Sequence, residues 1–366
     1  MDRIEIGGKL LLVVASLAIT AFVIEVSFWL FARSERIYPL VYYETADPNL
    51  DLWCYDEHFA GTPDWDLRRA HPYGKLTYLG NANNDSTLAN LLPFKVPNAI
   101  EMRRNEEQLR ERPMAEFGAQ NAKIILVIGD SFGFGQGVRV AERFSHTLEV
   151  RLNRERPAER YQFFNACVPG MNIKQIAKTM ERYVEYFARV ERVVYSFTLN
   201  DPFRSGRLLA MEKELADFMH LRSNVGAARF LAGRNSYTLH WFAARLKRQQ
   251  LSRDTVEWYR HLYKDNLGRT LTRQLLSKMK KSCADKGIKF SLVVFPVFYQ
   301  LEAYPLTEVH ETLGALAQHE GIHYVDLLAQ FAGKDERDYW VHPTDFHPNS
   351  RAHREAGDFL FEAIPW

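Results

Sequence analysis

Lys123–Val138, KIILVIGDSFGFGQGV, is the stretch whose reading decides the fold. After the lysine the run to Ile128 is apolar, β-branched and continuous instead of alternating, as expected of a strand buried on both faces of a sheet. It stops at Gly129-Asp130-Ser131, which puts Ser131 just past the carboxyl end of that strand. In open α/β sheets ligands bind at such ends, because the loops leaving the strands form the crevice. Glycines at 133, 135 and 137 let the backbone after the serine turn tightly and approach a substrate.

Downstream, helical and strand patterns alternate as in a doubly wound domain. Glu142–Arg154 has helical spacing at Phe144, Leu148 and Leu152, Tyr161–Ala166 reads as a strand, Ile173–Phe187 as a helix and Arg192–Thr198 as a strand. An insertion of several helices follows at about 204–264. The alternation then resumes with a helix over Asn266–Lys286, a strand over Ile288–Phe295, a helix over Thr307–Glu320, a short strand over Ile322–Val325 and a closing helix over Asn349–Ile364.

Upstream the chain changes character. After a tail over 1–9, Leu10–Phe31 is 22 residues with a single charge, Glu25, long enough to cross a hydrocarbon core of about 30 Å. A transmembrane signal-anchor helix over 10–32 is expected, with Phe28 and Trp29 at the interface and Arg33 and Arg36 beyond it. A carboxylate in lipid is costly unless it faces a partner or the interface, so Glu25 marks either contact with another membrane protein or a snorkelling side chain. The short tail and large carboxyl-terminal part suit an amino terminus in the cytoplasm and the remainder outside it. Residues 33–122 are rich in aromatics, Pro, Asn and Asp, and read as irregular structure with short strands packing on the next domain. Within them Glu101–Arg112, EMRRNEEQLRER, reads as a solvated helix or linker.

Composition excludes several classes. The 366 residues hold 47 basic and 45 acidic side chains, a formal net charge of +2, which argues against a nucleic-acid binder. Cys54, Cys167 and Cys283 are three separate thiols without zinc or Cys-x-x-Cys spacing. GDSFGFGQG lacks the Lys-Ser/Thr ending of a phosphate loop and does not fit a dinucleotide fingerprint. Neither cofactor nor metal is expected.

Candidates for acyl transfer follow: Asn165-Ala-Cys-Val-Pro-Gly170 after the second strand, Leu199-Asn200-Asp201-Pro202 after the third, and His342-Pro-Thr-Asp345-Phe-His347-Pro-Asn349 close to the carboxyl terminus. That chemistry needs a hydroxyl, an imidazole to deprotonate it, a group that fixes the imidazole tautomer, and donors for the oxyanion. The blocks GDS at 129–131, NACVPG, TLND and DFHPN, in that order, resemble the SGNH superfamily of GDSL-type hydrolases over about Lys123–Ile364, and particularly bacterial members with an amino-terminal membrane helix. The resemblance implies a three-layer, flavodoxin-like fold over 123–366. It implies Ser131 as nucleophile and His347 as base, with the N–H groups of Ser131 and Gly170 and the amide of Asn200 as the oxyanion hole. The acid is the departure: the family places Asp three residues before the His, where this chain has Thr344, and Asp345 lies two before. Residues i and i+2 of an extended loop share a face, which favours Asp345, with His342 as competitor. Asp130 reads as a loop pin, and Cys167 replaces the family's usual Gly.

The function expected is a membrane-anchored esterase or deacetylase acting on acyl esters outside the cytoplasm, with a glycan as one candidate substrate, at a bacterial inner membrane. An O-acyltransferase shares the same catalytic groups. A non-catalytic subunit of a membrane complex is the reading from another class.

Overall fold

A computed structural model describes residues 3–34, 40–44, 50–55, 77–78, 100–118, 122–202, 238, 253, 255–264, 266–342 and 345–366. Most of the insertion at 204–264 therefore lies outside the described residues. Helix α1 runs over Arg3–Ser34. Its side chains are described at Lys9 and over 12–27, where Leu12, Leu17 and Phe22 are exposed. Among the described residues no helix is long and apolar enough to cross a membrane; the span expected over 10–32 extends past the described side chains at both ends. Glu25 accepts a bond from the backbone N–H of Thr238 at 3.3 Å, so this carboxylate has a partner within the chain itself.

Strands β1 (Leu40–Glu44), β2 (Leu50–Tyr55), β3 (Thr77–Tyr78) and β4 (Ile100–Arg103) form an antiparallel sheet in the order β3-β1-β2-β4. The charged run after β4 departs from the solvated helix or linker read from sequence. Asn105 Oδ1 accepts from the N–H groups of Glu107 and Leu109, both at 3.0 Å, and this turn carries Leu109 and Arg110 into the interior.

The main sheet has five parallel strands, β5 (Lys123–Gly129), β6 (Tyr161–Asn165), β7 (Val190–Phe197), β8 (Lys289–Val294) and β9 (His323–Asp326), ordered β6-β5-β7-β8-β9. Alternation along β5 divides the core. Ile124, Leu126 and Ile128 face one layer, packing with Ile176 and Met180 of α4 (Ile173–Tyr186), Leu276 of α5 (Asn266–Ala284) and Leu313 of α6 (Thr307–His319). Ile125 and Val127 face the other, with Phe144 and Leu148 of α3 (Phe144–Glu155) and Ala352 and Leu360 of α8 (Ser350–Ala363). Two shorter helices, α2 (Ser131–Phe134) and α7 (Leu328–Phe331), follow β5 and β9. The result is three layers, as expected. Full burial of a side chain such as Leu148 or Leu313 contributes about 1.5–3 kcal/mol, so both faces of β5 are strongly held in register.

The continuous apolar run of β5 follows from this double coverage, since each successive side chain meets a different helical layer. A two-stranded ribbon, β10 (Trp340–His342) and β11 (Asp345–Pro348), precedes α8 and lies against α2.

Candidate active site

β5 ends at Gly129, where φ is 156° and a Cβ would stand 2.4 Å from the Ser196 carbonyl oxygen of β7. Only glycine allows β5 to pair this closely with β7 at Ser196 without displacing that carbonyl. Asp130 then caps α2: its Oδ1 accepts from Phe132 N–H at 3.1 Å, a type of bond worth about 1 kcal/mol. The expectation that Asp130 pins the loop agrees with this geometry. Burial pushes the Asp130 carboxyl up from its ordinary value, opposed by bonds from Phe132, Thr198 and Asn200 and by the charge of His347.

Ser131 opens α2, and its Oγ lies 2.8 Å from Nε2 of His347, 216 residues further on. For Nε2 to accept the serine proton, the ring proton must sit on Nδ1. The imidazole is placed by a ring contact of its own and by the fastening of the ribbon around it. Its ring packs against that of Phe132 with centroids 5.4 Å apart. Asn349, two residues on, caps α8 by accepting from Ala352 N–H at 3.0 Å. The Asn349 Nδ2 group also donates to the carbonyls of Asp338 and Trp340 at 2.9 and 3.1 Å. Trp340 is in turn held by Nε1–H donating to the Phe298 carbonyl at 2.7 Å. The Asn that follows His347-Pro348 is thus a fastener for the ribbon that carries His347.

Asp345 and His347 both belong to β11. The side chains of Asp345 and His342, and all of Thr344, lie outside the described residues.

The loop after β6 is laid beside Ser131 by backbone bonds from Ala166 N–H to Val127 O at 2.8 Å and from Val168 N–H to Gly129 O at 3.2 Å. Gly170 has φ 74°, and Met171 N–H donates to Val168 O at 3.3 Å; Pro169-Gly170 therefore occupy the centre of a turn that calls for positive φ at its second central position. After β7, Asn200 Nδ2 points at Asp130 Oδ2 from 3.4 Å. The blocks containing Ser131, Gly170, Asn200 and His347 all leave the carboxyl-terminal edge of the sheet or border it.

Two neighbours have other roles. Cys167 is buried with Sγ against Gly133, where an added Cβ would stand 2.5 Å from the sulfur. Burial and the nearby Asp130 carboxylate push its thiol pKa well up, the opposite of what a reactive thiolate needs. Asp201 is fully buried and accepts from the hydroxyls of Tyr195 and Thr198 at 2.9 Å each and from Thr198 N–H at 3.1 Å. Burial, then repulsion from Asp130, raises its carboxyl well above the usual range. It braces the turn that presents Asn200.

Sequence reasoning also missed three consecutive charged residues. Arg110 Nη1 donates to Gly135 O at 3.0 Å and its Nη2 to Val138 O. Glu111 Oε2 accepts from Asn165 N–H at 3.2 Å. Arg112 grips both oxygens of Glu149 on α3 at 2.9 and 2.8 Å. Nothing in the composition of EMRRNEEQLRER separates these from solvated charges; only the buried Leu109 beside them hints at an inward turn.

No family model and no curated protein matches the chain. Among solved structures it is similar to TesA, at 16% identity over 66% of this chain and 98% of that one, with a TM-score of 0.41. It is similar to a member of the lipolytic protein G-D-S-L family from Veillonella parvula, at 15% identity over 66% and 97% of the two chains with a TM-score of 0.37. It is also similar to a catalytic mutant of Axe2, an acetylxylan esterase from Geobacillus stearothermophilus, at 12% identity over 67% and 94% with a TM-score of 0.41.

Proposed function

We propose that this chain is a membrane-anchored serine esterase of the SGNH type that hydrolyses acyl esters, O-acetyl esters among them, through an acyl-serine intermediate. The observation that carries the reading is the 2.8 Å contact between His347 Nε2 and Ser131 Oγ at the end of β5, within the reach a general base requires. His347 takes the proton of Ser131 as Oγ attacks the ester carbonyl. Collapse of the tetrahedral intermediate expels the alcohol, which receives the proton back from His347. Water then attacks the acyl-serine carbonyl as His347 takes one of its protons, and collapse breaks the bond to Oγ, which receives that proton from His347 as the acid leaves.

The oxyanion donors are the N–H groups of Ser131 and Gly170 and the Asn200 amide. That amide carries two hydrogens; one directed at Asp130 leaves the second for the oxyanion. Asp345 is the acid that holds His347 in the required tautomer, supported by its place two residues before His347 on the same strand.

Anchoring through 10–32 is supported by the 22-residue apolar run and by the exposed Leu12, Val13, Leu17 and Phe22 of α1. With the amino terminus in the cytoplasm, the catalytic part lies outside a bacterial inner membrane.

Labelling the full chain with a fluorophosphonate, alongside Ser131→Ala and His347→Ala, and assaying p-nitrophenyl acetate with and without a glycan acceptor tests the reaction. Labelling and turnover should vanish in the serine variant. Equal labelling of wild type and Ser131→Ala would remove the esterase reading, and acceptor acylation with little hydrolysis would replace it with the transferase. Resistance of the full chain to alkaline extraction from membranes tests the anchor.

A further inference from the structure

The nucleophile sits on a very short helix whose far end carries none of the catalytic groups, so something else must hold that end. α2 has four residues and closes at Gly135, in the left-handed region with φ 72°. Ser131 O itself accepts from Gln136 N–H at 3.2 Å, and Val138 N–H donates to Gly135 O at 3.3 Å. The turn from 135 to 138 is therefore bonded directly to the backbone of the serine, and a shift in the turn moves the serine.

Arg110 grips both ends of that turn. Its two terminal nitrogens donate to Gly135 O and Val138 O, and its guanidinium lies 5.5 Å from the centre of the Phe134 ring. Arg143 completes the fixture: its stem packs where a Cβ on Gly135 would meet Cγ at 2.6 Å, and its Nη2 donates to Arg110 O at 2.9 Å. Both arginines are at most 2% exposed. The countercharge is Glu111, 3.6 Å from Arg143 Nη2, and Glu111 also receives Asn165 N–H at the start of the block that ends in Gly170. Two desolvated guanidinium groups side by side are costly to keep, and a planar fork is suited to holding two carbonyls at a fixed spacing.

We propose that Arg110 is a positioning residue for Ser131: by clipping the 135–138 turn it holds the nucleophile in register with His347. The inference rests on Ser131 being the nucleophile. It assigns a part in the reaction to the segment that joins the small antiparallel sheet to β5, a segment outside the four motif blocks.

The test compares Arg110→Met, Arg110→Lys and Arg112→Met with the wild-type full chain and Ser131→Ala, measuring kcat and KM for p-nitrophenyl acetate and thermal unfolding. Arg112 grips Glu149 of α3, lies 3.7 Å from Glu111 and covers the Phe117 ring, so its variant reports the loss of a neighbouring guanidinium that makes no bond to the 135–138 turn. Misplacement of a reacting group by about 1 Å costs up to roughly 100-fold in rate. Arg110→Met should lose about 10- to 100-fold in kcat with KM within about threefold. Arg110→Lys should recover part of kcat, because an ammonium group lacks the two-carbonyl fork, while Arg112→Met keeps kcat within about twofold. A folded Arg110→Met with wild-type kcat, or an equal kcat loss in Arg112→Met, would overturn the proposal. Should Arg110→Met fail to fold, Arg110→Lys decides: a kcat loss at constant KM supports positioning, and wild-type kcat refutes it. A wild-type chain without Ser131-dependent turnover or labelling would instead overturn the nucleophile reading and this inference with it.

Discussion

His353, on the face of α8 that meets α3, offers a stability measurement whose sign changes with pH. It is fully buried, its Nδ1 accepts from Phe144 N–H at 3.4 Å, and Nε2 has no hydrogen-bond partner among the described residues. Its ring lies parallel to that of Phe144, with centroids 6.0 Å apart. Burial first, then the positive charges of Arg143, Arg110 and His347, push its pKa down from 6.5 to about 3. Between those values the unfolded chain takes up a proton that the folded chain refuses, so acid favours unfolding. Each pH unit in that window removes about 1.4 kcal/mol, or about 3 kcal/mol by pH 4. His353→Asn keeps an acceptor near Phe144 N–H and removes the titration, at a packing cost of about 1–3 kcal/mol at pH 7.5. The variant should therefore be less stable than wild type at pH 7.5 and equal or more stable at pH 4. Urea unfolding of both chains, followed by tryptophan fluorescence across that range, reads the difference directly, since all other titrations are common to the two. A stability gap that stays constant from pH 7.5 to 4 would refute the argument.

Asn200→Ala removes one oxyanion donor and should lower kcat about 100- to 1000-fold with KM little changed, measured by steady-state ester hydrolysis. Asp345→Ala should lose most of the turnover while Thr344→Ala keeps it, and the reverse result would move the acid to another residue. Glu355 on α8 is opposed by burial, but bonds from Lys334, Arg351, Gln330 and Tyr339 prevail and bring its pKa from 4.5 down to about 2. Its contribution is full above pH 4.5 and is lost as pH falls toward 2, so Glu355→Gln should cost about 1–2 kcal/mol at pH 7 and nothing near pH 2. Gly133→Ala would place a methyl 2.5 Å from Cys167 Sγ and should destabilise by about 1–3 kcal/mol, seen as a lower Tm.

The fold was legible because β5 is covered on both sides, which forces an unbroken apolar run, and because each later strand is followed by amphipathic sequence. Ser131 was legible as a hydroxyl at a strand end and His347 as part of a motif near the carboxyl terminus, and the structure joins them across 216 residues. Asp201 was not: TLND shows two polar residues side by side, and only burial separates the one facing the cleft from the one bonded to Tyr195 and Thr198. Arg110 was harder still. A charged run is normally solvated, and its inward turn depends on Asn105 closing a loop that has no periodicity to read. The assignment of the acid turns on spacing, since residues two apart on a strand share a face and residues three apart do not.

The separation of Ser131 from His347 has a consequence in time. A ribosome lays down all five central strands before it reaches the ribbon that carries the base. At about 5–20 residues per second, the 216 residues between them take roughly 10 to 40 s. During that interval the growing chain holds a serine without its imidazole. On the proposed esterase reading, the chain is thereby inert while it is still being made, and acquires its chemistry only once the sheet is complete.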